Sequence, residues 1–231
     1  TNYLVELTSH LSGGDHSEIE NIIEILGEKH FDLVEELFFD DEAKASVNSY
    51  LEFQIMNLKL LTQKDYSENI GAQIQTLGEL LLTFIFSEYL ASCGISNSLL
   101  DAKKFMYVSN LENPDNEKVN ELITPLLKDH ENLFITQGYV RIDKNNRIST
   151  LKRGGSDYTA TILGAAVKAE EIQIWTDIDG FHNNDPRYVE DTHPLSHLTF
   201  EEAAELAYFG AKILHPQTVS PVIGKNIPII L

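Results

Sequence analysis

The chain has 231 residues and a mass of 26.0 kDa, enough for one large domain or two small ones, and 42% hydrophobic with 23% charged residues is the make-up of a chain that folds. Seventeen Lys and Arg against 36 Asp and Glu leave a net charge of −19 and a pI near 4.7, a field that repels nucleic-acid phosphates and anionic membranes, so neither is expected as a partner. The single cysteine, Cys93, excludes an internal disulfide framework and a cysteine-based zinc site, and it fits a reducing, cytoplasmic home. The most apolar stretch, residues 80–86, is shorter than a membrane span, and Thr1-Asn2-Tyr3 lacks the charged and then apolar pattern of a signal peptide. A start without Met and an apolar run over 227–231 that reads as a strand cut at its end lead us to expect an excised piece of a longer protein.

In chain order, residues 15–66 are acidic and helical in period: Ile19, Ile22, Ile23 and Leu26, then Leu51, Ile55, Leu58 and Leu61. Residues 69–93 repeat that spacing through Ile74, Leu77, Leu81 and Phe84, and Gly94 suits the C-terminal cap of a third long helix. Short apolar runs at 99–100, 105–108, 133–136, 172–176 and 227–231, separated by helical or loop-like segments, predict strands. The polar and basic stretch within 140–152 reads as a hairpin or loop tip, and further helices are expected at 158–169, 199–209 and 216–223. Strands alternating with helices predict an α/β fold, doubly wound, with a mostly parallel sheet sandwiched by helices. We expect one domain over 1–231, with 15–66 as a helical subregion in its N-terminal part.

Four segments carry residues suited to chemistry. Lys152-Arg-Gly-Gly-Ser-Asp157 precedes a helix, with Ser156 and Asp157 as capping types; such a turn presents backbone N–H groups to an anion, and Arg153 can grip a carboxylate or phosphate. By spacing alone the same residues also make a plain capped helix. Trp175-Thr-Asp-Ile-Asp-Gly180 with Asp185-Pro-Arg187 follows an apolar strand, at the strand end where open α/β sheets bind ligands. Thr176, Asp177, Asp179 and Asp185 offer oxygens to a magnesium nucleotide or a ribose, and Arg187 a charge to phosphates, although the composition is equally that of a turn.

Thr199 and Glu202 match a capping box, and Lys212 follows the helix that they open; Lys212 and His215 each admit a structural reading. Glu79 places a carboxylate among apolar neighbours on a helix, where it needs a cationic partner if buried, and an ordinary solvent-facing Glu is the alternative. Thr136-Gln-Gly138 brings backbone close to a phosphate or simply ends a strand. The sequence contains no Gly-x-x-x-x-Gly-Lys-Ser/Thr loop, no Gly-x-Gly-x-x-Gly, no Gly-x-Ser-x-Gly and no His-Glu-x-x-His.

Taken in order, Arg153-Gly-Gly-Ser-Asp-Tyr-Thr-Ala160, Trp175-Thr-Asp-Ile-Asp-Gly180 with Asp185-Pro-Arg187, and Tyr208-Phe-Gly-Ala-Lys-Ile-Leu-His-Pro216 resemble the signature strings of the aspartokinases of the amino acid kinase family. Phe134-Ile-Thr-Gln-Gly138 and Gly78-Glu79 fall where that family has equivalents, and Thr1-Asn2 resembles the end of its Ser-Ala-x-x-x-x-Thr-Asn segment. The resemblance is specific over 133–221 and looser before. It implies transfer of the γ-phosphoryl group of ATP, with Mg²⁺, to the β-carboxylate of L-aspartate, giving 4-phospho-L-aspartate, the first step toward lysine, threonine and methionine. It further implies that Arg153, Gly154, Gly155 and Ser156 hold the aspartate α-carboxylate, Glu79 meets the ammonium, Thr1 contacts the substrate and Asp157 orders the centre. Thr176, Asp177, His182, Arg187, Lys212 and Ile213 fall on nucleotide-binding positions, with Asp157 and Lys212 as catalytic candidates and no protein-bound metal site.

The chain departs from the family in lacking the N-terminal Lys-Phe-Gly-Gly strand and the C-terminal ACT domains, and it carries His182 where many members have Tyr. We therefore expect the piece itself to be nearly inactive and its parent to be a homo-oligomer. Two other functions stay open at this point: an inactive amino-acid- or nucleotide-binding module, and another amino acid kinase.

Overall fold

The computed structural model describes residues 2–127, 133–152, 154–176, 180–184, 188–209 and 216–231. The backbone divides into two compact units, the first of Thr1–Ala102, Leu126–Gln137 and Arg147–Ser149, the second of Lys103–Pro125, Gly138–Asn146 and Thr150–Leu231.

The first unit is a helical assembly on a pair of strands. Its helices are α1 (Asn2–Gly13), α2 (Ile19–Leu37), α3 (Asp41–Thr62), α4 (Glu68–Gln75) and α5 (Leu77–Ser92). The sequence reading placed no helix before residue 15; α1 forms there because Leu4, Leu7 and Leu11 share one face and bury it against the other helices. Side-chain caps start two of the helices: Asp40 accepts from the N–H of Ala43 at 2.8 Å, and Ser67 from that of Ile70 at 3.2 Å. The predicted third long helix is two helices, broken at Thr76. The hydroxyl of Thr76 donates to the carbonyls of Ala72 at 2.8 Å and Gln73 at 3.3 Å, a local bond that competes with the helical ladder. Gly94 does cap α5, in a left-handed conformation with φ of 78° and with the N–H of Ile95 bonded to the carbonyl of Leu90 at 2.9 Å.

By length and composition alone the stretch Glu68–Ser92 is apolar enough to cross a membrane. Here its apolar residues Ile70, Ile74, Leu77, Leu81 and Ile85 lie in the protein core with Leu7, Val34, Val47 and Leu51. Fully burying one such side chain contributes about 1.5–3 kcal/mol, so this shared core is what holds the helices together. Strands β1 (Ser98–Leu100) and β2 (Phe134–Thr136) pair in parallel, Ser98 opposite Phe134 and Leu100 opposite Thr136, and α5 packs on them.

The second unit contains α6 (Asn116–Ile123), β3 (Val140–Ile142), α7 (Gly155–Val167), β5 (Ile172–Gln173), α8 (Phe200–Phe209), α9 (Pro216–Val219) and β6 (Ile229–Ile230); the remaining strand, β4, covers Ile148–Thr150. Strands β5 and β6 pair in parallel, Ile172 opposite Ile229, over a core of Ala165, Val222 and Ile227. The predicted α/β class with parallel pairing and a helical N-terminal part is therefore observed. Its described strands are short, and within the units they pair two by two, β1 with β2 and β5 with β6. The expected strand at 105–108 is reduced to one parallel bridge, Tyr107 to Ile142, flanked by the bonds of the Val108 N–H to Ile142 O and the Ile142 N–H to Met106 O.

Helix α7 is the centre of this unit. Asn120 of α6 donates to the carbonyl of Ala166 at its C-terminal end, 2.6 Å away, and Ile172 of β5 packs against Gly164 so closely that an added Cβ would lie 2.5 Å from Cδ1. Gly164→Ala is expected to cost about 1–3 kcal/mol of stability by overpacking, measured by urea unfolding.

Candidate active site

In the second unit, the glycines of the 152–157 segment set the start of α7. Gly154 is the N-cap residue, left-handed at φ 69° and ψ 20°, and being glycine it supplies no side-chain cap of its own. This corrects the expectation that Ser156 and Asp157 precede the helix as caps: the helix begins at Gly155, so Ser156 and Asp157 stand in its first turn. A left-handed residue costs a β-carbon-free glycine nothing, and the turn thus closes with no side chain of the N-cap residue on the first helical N–H groups. Those groups and the helix dipole together favour an anion.

A second turn, after β2, lies directly against this helix end. An added Cβ at Gly138 would be 2.7 Å from Oγ and 3.0 Å from Cα of Ser156, and one at Gly155 would be 2.6 Å from the ring of Tyr139. Only glycine at both positions lets the two backbones meet. The contact is held by Thr159, which is buried: its Oγ1 accepts the N–H of Tyr139 at 3.0 Å and donates to the carbonyl of Gly155 at 2.9 Å. Tyr139 itself is left-handed at φ 68°, and its carbonyl accepts the N–H of Leu151 at 2.8 Å. The roles of Thr159 and Tyr139 were not legible in the sequence; a Thr one turn into a helix whose later part is mostly apolar was the available signal.

Ser156 is exposed and Asp157 half-buried. Burial holds the carboxyl of Asp157 above its ordinary range, against the pull of the helix N-terminus toward the charged form.

Of the predicted nucleotide residues, Thr176 is exposed beyond β5, next to Trp175, which has 89% of its surface in solvent. His182 is buried. Its Nδ1 is hydrogen-bonded to Oγ1 of Thr192 at 3.0 Å, and a bridge between His182 and Pro194 closes the loop that contains both. The predicted capping box is present: the N–H of Glu202 donates to Thr199 Oγ1 at 3.1 Å and that of Thr199 to Glu202 Oε2 at 2.8 Å, which draws the Glu202 carboxyl below its usual range.

In the first unit, Glu79 occupies the first turn of α5, half-buried, and burial raises its carboxyl above the ordinary glutamate range. It lines a cavity of about 250 Å³ with Tyr3, Lys29 and His30 over an apolar floor that includes Leu26, Leu58 and Leu81. Tyr3, Lys29 and His30 were not anticipated, because α1 and α2 reach this place only through packing. A wider groove of about 770 Å³ between α2 and α3 contains none of the predicted residues. Among the described residues no group of three or more His, Cys, Asp and Glu is placed to hold a metal. Thr1, Arg153, Asp177, Arg187, Lys212 and Ile213 lie outside the described residues.

A sequence profile of the amino acid kinase family matches residues 11–231, and the chain belongs to that family. It is 33% identical, over 99% of its length, to lysine-sensitive aspartokinase 3 of Escherichia coli (strain K12), of which it covers 51%. It is 32% identical over its whole length to the chloroplastic bifunctional aspartokinase/homoserine dehydrogenase 2 of Arabidopsis thaliana, of which it covers 26%. Among solved structures, E. coli aspartokinase III in complex with aspartate and ADP (R-state) superposes with a TM-score of 0.86 at 31% identity, over 98% of this chain and 52% of that one. Clostridium acetobutylicum aspartate kinase gives 0.77 at 27% identity, over 99% and 48%. The chain thus spans about half, or less, of the relatives that it matches.

Thr159→Val is expected to leave the Tyr139 N–H without its acceptor and to cost about 1–3 kcal/mol, whereas Thr159→Ser retains most of the stability; urea unfolding of the two variants separates the hydrogen bond from the lost volume.

Proposed function

We propose that the protein is an aspartate kinase that transfers the γ-phosphoryl group of ATP to the β-carboxylate of L-aspartate, with 1–231 as its catalytic domain and its product entering the biosynthesis of lysine, threonine and methionine. The observation that carries this reading is the 0.86 superposition, over 98% of the chain, on an aspartokinase whose structure holds aspartate and ADP. The glycine-opened start of α7 supports it as a seat for an anion.

In the reaction, a β-carboxylate oxygen attacks the γ-phosphorus, the bond from that phosphorus to the bridging oxygen breaks, and ADP leaves with the electron pair. Little covalent help is needed, so the chain's task is to place two anions and neutralise the charge between them. Arg153 with the backbone of Gly154, Gly155 and Ser156 takes the aspartate α-carboxylate. Glu79 takes the ammonium, a positive group that offsets the desolvation of its half-buried carboxylate. Thr1 contacts the same substrate, and Asp157 orders the centre. Thr176, Asp177, His182, Arg187 and Ile213 hold the nucleotide, and Lys212 offsets charge on the transferring phosphoryl group. Mg²⁺ arrives with ATP as part of that substrate, through the phosphates, and shields their charge.

Isothermal titration of L-aspartate into the intact protein should give binding that Arg153→Ala weakens about 10- to 100-fold, the loss expected for hydrogen bonds to a charged group; no aspartate binding by the intact protein would overturn the reading.

Glu79 also makes a pH prediction. Its raised carboxyl means that the folded protein holds this proton more tightly than the unfolded chain. Ionising it therefore costs stability as pH rises, while the substrate ammonium requires the ionised form. Aspartate affinity should fall as pH is lowered through the raised value of Glu79, above the pH at which an ordinary glutamate protonates. Glu79→Gln should flatten that limb, weaken aspartate binding and raise the thermal midpoint at neutral pH.

A further inference from the structure

Gln137, directly after β2, has only 2% of its surface exposed, and the chemistry proposed above does not use it. Its side-chain amide is engaged at both ends within the first unit. Oε1 accepts the backbone N–H of Ala102 at 2.8 Å, and Nε2 donates to Oγ1 of Thr83 at 2.8 Å. A backbone N–H can face only the oxygen of an amide, so the nitrogen is obliged to turn toward Thr83. With its oxygen already accepting, Thr83 has one proton to give. It gives that proton to the carbonyl of Glu79 at 2.8 Å, with a longer approach of 3.4 Å to the carbonyl of Leu80.

This chain of bonds begins at the carboxyl end of β2, the end of a parallel pair at which α/β sheets place ligands, and it finishes on the first turn of α5. That turn carries the carboxylate that lines the 250 Å³ cavity. Satisfying Ala102 needs only the amide oxygen; the second half of the arrangement, from Nε2 through Thr83, acts on the residue whose side chain faces the cavity.

We infer that Gln137 and Thr83 are positioning residues for aspartate recognition: the relay from Gln137 through the Thr83 hydroxyl to the Glu79 carbonyl sets the height and rotation of the first turn of α5, and with it the placement of the Glu79 carboxylate. The inference rests on Glu79 meeting the substrate ammonium, as proposed above.

The variants separate the relay from packing. Thr83→Val keeps the shape of the side chain and removes the hydroxyl, and Thr83→Ser keeps the hydroxyl. Gln137→Glu keeps the shape and the acceptor for Ala102 but replaces the donor with an acceptor, which draws the Thr83 proton away from Glu79. Steady-state kinetics on the intact protein should show the Michaelis constant for aspartate raised about 5- to 20-fold in Thr83→Val and in Gln137→Glu, and that for ATP moved by less than about twofold. Thr83→Ser should restore the aspartate constant. Glu79→Gln, measured alongside, should raise it at least as far.

If Glu79→Gln raises the aspartate constant while Thr83→Val leaves it unchanged, or moves the aspartate and ATP constants equally, the relay has no positioning role. If Glu79→Gln itself leaves the aspartate constant unchanged, the assignment of Glu79 fails and this inference fails with it.

Discussion

Two backbones can pack against each other only where no β-carbon stands between them, and the second unit is organised around such a place. An added Cβ at Gly138 would lie 3.0 Å from Cα of Ser156, and one at Gly155 3.2 Å from Cα of Tyr139, with the side-chain atoms of both nearer still. The turn after β2 is thereby seated on the start of α7, and the buried Thr159 hydroxyl bonds both sides of the contact. The helix start that results opens on a left-handed glycine, which supplies no side-chain cap of its own. Structure and chemistry are neighbours there: Gly138 and Gly155 permit the close approach, and the left-handed Gly154 beside them opens the helix whose N-terminus favours an anion.

The electrostatics follow from scarcity. In a chain of net charge −19, a carboxylate rarely finds a spare cation, and burial then pushes its proton affinity upward. Glu79 and Asp157 are both half-buried and both shifted in that direction, chiefly by desolvation. Such groups cost stability when ionised, and a cationic ligand group offsets that cost at the moment of binding. Glu202, by contrast, is drawn the other way, because a backbone N–H at the start of α8 donates to it. The direction of each shift reports what the group touches: water withdrawn in two cases, a hydrogen-bond donor supplied in the third.

The helical part of the first unit gives Glu79 its setting. Helices α1 to α5 share one apolar core, and the break at Thr76 lets α5 start afresh, so that Glu79 falls in a first turn instead of the middle of a 25-residue helix. Gln137 then ties that helix to the ends of the two parallel strands through Thr83 and Ala102. A residue that a linear reading treats only as part of a turn after a strand is in this way a buried junction among three elements.

Much of the fold and part of the candidate site were legible in the sequence. The 3.6-residue apolar period marked α2, α3 and the 69–93 stretch, because burying one face of a helix demands that spacing whatever it packs against. Gly94 as a cap and the Thr199–Glu202 box were legible for a similar reason: both are local bonds between residues close in the chain. The signature strings around residues 153–160, 175–187 and 208–216 pointed to the amino acid kinase family, whose profile matches residues 11–231. What lay beyond the sequence was everything that depends on distant partners. The helix α1, the split at Thr76, the step from predicted strand to single bridge at Tyr107, and the Ser156–Asp157 pair inside the helix instead of before it are set by packing and hydrogen bonding. Spacing along the chain determines which face of a segment is apolar and which turns are allowed. Only tertiary structure decides which backbone meets which, and a buried polar side chain such as Gln137 or Thr159 acquires its meaning from donors and acceptors 20 to 54 residues away.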